Sequence, residues 1–121
     1  MAGLDPTGTN WTDIEIDLIV ADYFAMLALD LKGEAFVKAH RNEELQRLTG
    51  RTRGSIEFKH QNISAVMVRL GLPWLRGYKP MSNFQEALVA GVERYFAIYP
   101  PVSVAPAPIS KIGLSENDQL F

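Results

Sequence analysis

The chain has 121 residues, enough for one domain with a single core, and 47% of them are hydrophobic, so that core is of ordinary size. It contains no cysteine, which excludes disulfides, thiolate zinc sites, iron–sulfur ligation and a cysteine nucleophile. No apolar run approaches the roughly 20 residues of a membrane span, and Met1 to Pro6 lacks the basic-then-apolar order of a signal peptide. The expected setting is therefore the cytoplasm.

The net charge of −2 conceals an asymmetry. Residues 1–31 hold six acids and no Lys or Arg, whereas residues 32–79 hold ten bases against four acids. A basic centre in a mildly acidic chain points to an anionic partner on one face. The alternative is internal: the acidic first helix pairs with the basic middle.

Taken in order, residues 1–10 read as a flexible lead-in rich in Gly, Thr and Pro. Thr12 and Glu15 form a capping box, with Trp11 before it as a hydrophobic staple for Ile16. The first helix is expected over 13–31. Ile16, Ile19, Val20, Tyr23, Phe24, Leu27 and Leu31 recur on one face, and Gly33 ends it. A second helix is expected at about 39–48, carrying His40, Leu45 and Leu48 on one side, with Gly50 closing it. The third is expected over 53–70 behind a Thr52 cap. Its inner face is Ile56, Ile63, Met67 and Leu70, and its outer face Ser55, Phe58, Gln61, Asn62, Ala65 and Arg69. Lys59 and His60 flank the apolar stripe. Gly71 and Pro73 stop this helix.

Residues 72–81 read as a loop, with Arg76-Gly77 at the tip of a small hairpin that would serve as a wing. Ser82 and Gln85 match a second capping box and open a fourth helix over 83–98, which Pro100-Pro101 stops. From residue 100 onward the chain reads as a Pro-rich linker and tail.

The stretch from Gly50 to Ser64 carries the functional expectation. Helices joined by a tight turn containing glycine are what a helix-turn-helix requires. Arg51 and Arg53 precede or open the third helix, where they can bracket a backbone phosphate, and Gly54 admits close approach. Ser55, Gln61 and Asn62 are residue types that read base edges. Lys59, Arg69, Arg76 and Lys79 add cations nearby. The competing reading is a solvated polar face on a core helix. Phe58 on the outer side either touches a thymine methyl or wedges between bases, or else packs on the 74–78 loop or the first helix.

Other chemistry has weaker support. His40 and His60 are joined by no cysteine and no H-E-x-x-H pattern, so no metal ligand set is expected. Glu57-Phe58-Lys59 matches the E-x-K fragment of metal-dependent nucleases, but falls on an expected helix rather than a strand. No nucleophile elbow or phosphate-binding glycine loop is present, so no catalytic residue and no cofactor are assigned.

The Asn10-Trp11-Thr12-Asp13 opening, the Gly50 to Val66 run and Gly71-Leu72-Pro73 together resemble a small bacterial N-terminal module. Such modules are joined by linkers to HNH endonuclease or other restriction-type effector domains. The resemblance covers about residues 10–98. It implies a winged-helix or helix-turn-helix DNA reader in a defence protein, with reading roles for Arg51, Arg53, Ser55, Lys59, Gln61 and Asn62. The chain carries no HNH segment, so binding without cutting is implied.

The expectation is thus a mainly α, four-helix, helix-turn-helix-like domain over 11–99 with a small wing. Its expected partners are double-stranded DNA, modified or not, and an effector domain in the same parent chain. The alternative is a protein-interaction or dimerisation module, for which Tyr95, Phe96 and Tyr99 supply aromatic surface.

Overall fold

Thr12 opens α1 (Asp13–Leu31) with the capping box that its sequence encodes. Its Oγ1 accepts from Glu15 N–H at 3.2 Å, and Glu15 Oε1 accepts from Thr12 N–H at 2.9 Å. The computed structural model describes residues 10–101, so the lead-in before residue 10 and nearly all of the Pro-rich tail lie outside the described residues. Within them the protein is mainly helical: α1 is followed by α2 (Lys38–Thr49), α3 (Arg53–Arg69) and α4 (Glu86–Ile98). Gly33, Gly50 and Gly71 follow or close the first three helices at φ near +70°, a left-handed conformation that glycine adopts without steric cost.

α1 packs against α3 and α4, and α2 lies along α3. Ile16, Ile19, Tyr23, Ile56, Ile63, Val66, Leu88 and Val92 form the centre of one core. Burying each such side chain contributes roughly 1.5–3 kcal/mol before entropy is charged against it. Gly91 allows α1 and α4 to approach closely, because a Cβ there would overlap Ile16 Cγ2.

Several expectations are corrected. The second capping box does not form. α4 begins at Glu86 behind Gln85, which makes no side-chain cap hydrogen bond. In its place Phe84 N–H donates to the Ser82 carbonyl at 3.0 Å, a three-residue turn instead of the first turn of a helix. Just before it, Met81 N–H donates to the Gln61 carbonyl at 3.1 Å, and Asn62 Nδ2 donates to the Met81 carbonyl at 2.6 Å. These bonds hold the chain ahead of α4 along α3. The hairpin is also absent: no strand occurs among the described residues. Residues 75–78 do turn, with Tyr78 N–H donating to the Leu75 carbonyl at 3.0 Å, but Leu75 and Tyr78 plug into the core instead of pairing across a ladder.

On α2 the inward residues are Asn42 and Leu45, while His40 and Leu48 face solvent. On α3 the expected outer face is not outer along its whole length. Residues 62–67 are all buried, including Asn62 and Ala65, whereas Leu70 is exposed just past the helix end. A helix covered on every side is a core helix. The first turns of α3 keep an open face, and its last residues, Val68 and Arg69, are exposed as well.

Candidate nucleic-acid interface

At about 100° per residue, Gly54 and Phe58 sit in the middle of the open face of α3, opposite Ile56, His60 and Ile63. Arg53 and Glu57 lie on one flank, Ser55 and Lys59 on the other. Gly54 is exposed with nothing within 4 Å of a Cβ added to it, so backbone approach there is unobstructed. Phe58 is 39% exposed, so part of its ring faces solvent. Thr52 Oγ1 caps the helix by accepting from Ser55 N–H at 3.1 Å.

The Arg53 flank is shaped by chain from two other places. Lys38 at the start of α2 donates from Nζ to the Gly77 carbonyl at 2.7 Å and lies 4.4 Å from the centre of the Tyr78 ring. Asn42 donates to the Arg53 carbonyl at 3.2 Å, tying α2 to the start of α3. Lys38, Asn42, Arg53, Glu57 and Tyr78 line one small polar pocket. The loop that carries Arg76 and Lys79 therefore lies beside the amino-terminal end of α3. Arg53, Arg76 and Lys79 are exposed and make no ion pair among the described residues. Tyr78 is buried, and its hydroxyl pKa is pushed up to about 12 by burial, with the Asp22 and Glu57 carboxylates adding to the effect.

The other flank is built on Trp11. The Arg51 guanidinium lies 5.0 Å and Lys59 Nζ 5.5 Å from the Trp11 ring centre. Burial and the charge of Arg51 lower the Lys59 pKa below its ordinary value. Glu57 and Lys59 thus serve opposite flanks, one at the Tyr78 pocket and one at Trp11. Among the described residues no group of three His, Asp or Glu side chains is placed to hold a metal ion.

No family model matches the chain, and neither a curated protein nor a solved structure does. The site must therefore be read from its own geometry.

Two residues expected at the interface are structural. Arg51 is only 4% exposed. Its Nη2 donates to Glu15 Oε1 at 2.8 Å and to the Asn10 carbonyl at 2.9 Å, and its Nε donates to Glu15 Oε2 at 3.2 Å. A phosphate would reach it only by breaking this clamp. Asn62 is 1% exposed, and its amide is committed to Met81. Arg69 is exposed but stands at the far end of α3, roughly 24 Å along the axis from Arg53. It lies 3.9 Å from Glu86 and over the Phe84 ring, outside the amino-terminal patch. Gln61 and Ser55 are half-buried and stay at the edge of the open face.

The charge asymmetry is thus partly internal. Glu15 pairs with Arg51 and Asp22 with Arg41, each joining the acidic first helix to the basic middle. Asp22 also approaches the fully buried His60, with Oδ2 3.2 Å from Nε2 but without hydrogen-bond alignment. Lys38, which the sequence reading did not include, joins the site through a contact spanning 39 residues of chain, so no local signal announced it.

Proposed function

We propose that this domain binds double-stranded DNA through the first two turns of α3 and the adjoining 76–79 loop, as the targeting module of a restriction-type effector. What carries the reading is the convergence of α2, α3 and the loop on the Lys38–Arg53–Tyr78 pocket, which gathers separate cations beside an open helix start. Helices of helix-turn-helix type read DNA with their amino-terminal residues, and helix starts attract phosphate through free N–H groups. In this reading Arg53, Arg76 and Lys79 contact phosphates, with Lys38 and Lys59 adding local positive field. Ser55 and Gln61 approach base edges, and Phe58 supplies an apolar contact to a thymine methyl. Arg51 and Asn62 hold the surface in shape from beneath.

The test is duplex binding followed by fluorescence anisotropy across a range of salt concentrations. Affinity is expected to fall steeply with salt, and Arg53→Ala to reduce the log–log slope by about 0.9, as one phosphate contact is lost. Absence of binding at low salt, or binding indifferent to salt, overturns the reading. Comparison of unmodified with methylated duplex then tells whether base modification matters.

A further inference from the structure

His60 lies wholly inside the fold, and neither of its ring nitrogens has a hydrogen-bond partner. Nε2 stands 3.2 Å from Asp22 Oδ2, within reach of a bond, yet the ring is turned so that none forms, and Oδ2 is left without one as well. Buried polar atoms are seldom unpaired in folded proteins, because they have given up water for nothing. Three of them in two adjacent side chains mark an arrangement that a small turn of the ring would improve.

Packing holds the ring in its present orientation. Its centre lies 4.6 Å from that of Tyr78 and 6.3 Å from that of Tyr23. Arg41 donates from Nε to Asp22 Oδ1 at 2.9 Å, which leaves Oδ2 to His60. The titratable and charged groups around His60 are thus Asp22 and Tyr23 from α1, Arg41 from α2 behind Asp22, and Tyr78 from the 75–78 turn. Glu57 and Arg53 from α3 and Lys38 from α2 act in turn on Tyr78.

Histidine is the side chain whose charge ordinarily changes between pH 5 and 8. While the ring is neutral, stacking decides its orientation. As an imidazolium it would meet a carboxylate 3.2 Å away in surroundings of low dielectric constant, where the attraction is strong. Arg41 tempers that attraction without removing it, since it occupies the other oxygen. A second effect has the same sense. Lys38 Nζ lies 4.4 Å from the Tyr78 ring centre, so a charged His60 sets two cations against one ring.

We propose that His60 and Asp22 form a proton-operated switch beneath the 75–78 turn. Uptake of a proton from solvent turns the His60 ring into an Nε2–H···Oδ2 bond with Asp22, weakens its stack on Tyr78 and shifts the turn. The switch operates in the free protein and does not depend on DNA binding.

Heteronuclear NMR of the full chain between pH 8 and 5 tests this, with the exposed His40 as internal reference for an ordinary imidazole. The His60 ring nitrogens are expected to pass from neutral to imidazolium, and the amides of Gly77, Tyr78 and Lys79 to shift with the same midpoint. In Asp22→Asn the His60 midpoint should move to lower pH while that of His40 stays in place. A His60 ring that stays neutral down to pH 5 overturns the proposal. So does a His60 that gains its proton while the 77–79 amides stay still, or amides there that follow His40 and not His60. An unchanged His60 midpoint in a folded Asp22→Asn variant overturns it too; if that variant unfolds, the titration of the parent alone decides.

Discussion

Arg51 and Glu15 meet across 36 residues of chain, with both carboxylate oxygens engaged by the guanidinium at 2.8 and 3.2 Å. The pair joins the capping box of α1 to the turn before α3, because Glu15 also accepts from Thr12 N–H. Trp11 covers it from one side. Breaking such a buried pair from one end leaves an uncompensated charge. Arg51→Ala is therefore expected to cost about 3–5 kcal/mol of stability, measured by urea denaturation. Arg53→Ala, on the exposed flank, is expected to leave the midpoint nearly unchanged.

The same pair makes stability depend on acid. Burial alone would raise the Glu15 pKa, but the bonds from Arg51 and Thr12 outweigh it and hold it below the ordinary 4.5. Between the two pKa values the folded state binds fewer protons than the unfolded one. This contribution is complete above the unfolded pKa and is lost as pH falls through the folded one. Acid denaturation of the parent and Glu15→Gln should accordingly differ: the variant lacks this component of the decline in stability below about pH 4.5.

Asn62 and Gln61 are adjacent, yet they predict opposite phenotypes. Asn62→Ala removes the donor to the carbonyl of the exposed Met81, a loss of about 0.5–1.5 kcal/mol. Thermal unfolding should show it, while duplex affinity well below the transition stays near that of the parent. Gln61→Ala should do the reverse, weakening DNA binding with little change in midpoint.

Gly91→Ala sets helix propensity against packing. Alanine favours the helix by about 1 kcal/mol, but its Cβ would overlap Ile16 Cγ2 in the core. Ile16 is branched and buried, so the clash is expected to win, with a net loss of about 1–2 kcal/mol. A double-mutant cycle with Ile16→Ala, which removes the overlapping methyl, should show the loss relieved.

Tyr78 should be visible in an alkaline titration followed by tyrosinate absorbance. One component is expected near pH 12 in place of the ordinary 10.0, and Tyr78→Phe should remove it. The neutral phenol is favoured in the fold. Its contribution is present below the unfolded pKa and is lost as pH rises through the folded one.

Interactions within a few residues encode much of the helical pattern. The bounds of α1, the Thr12–Glu15 box, the Thr52 cap and the glycine stops at 33, 50 and 71 all follow from interactions within a few residues, and the structure contains each of them. The class, mainly helical with four helices, follows from the same periodicities. Tertiary structure decided the rest. Whether Arg51 faces solvent depends on Glu15, 36 residues away, and whether Asn62 is outer depends on where residue 81 runs. The 82–85 match to a capping box gave way to a tight turn in which Phe84 N–H bonds the Ser82 carbonyl, and the expected wing lost to the burial of Leu75 and Tyr78. A helical wheel assigns one inner and one outer side, but α3 is covered by α1, α2 and α4, so its polar residues divide by depth along the helix as well as by angle. Sequence by itself determined the bounds of α1 and where the first three helices stop. Only the fold decided which cations remained open to a partner, because charge pairing across distant segments depends on which surfaces are brought together.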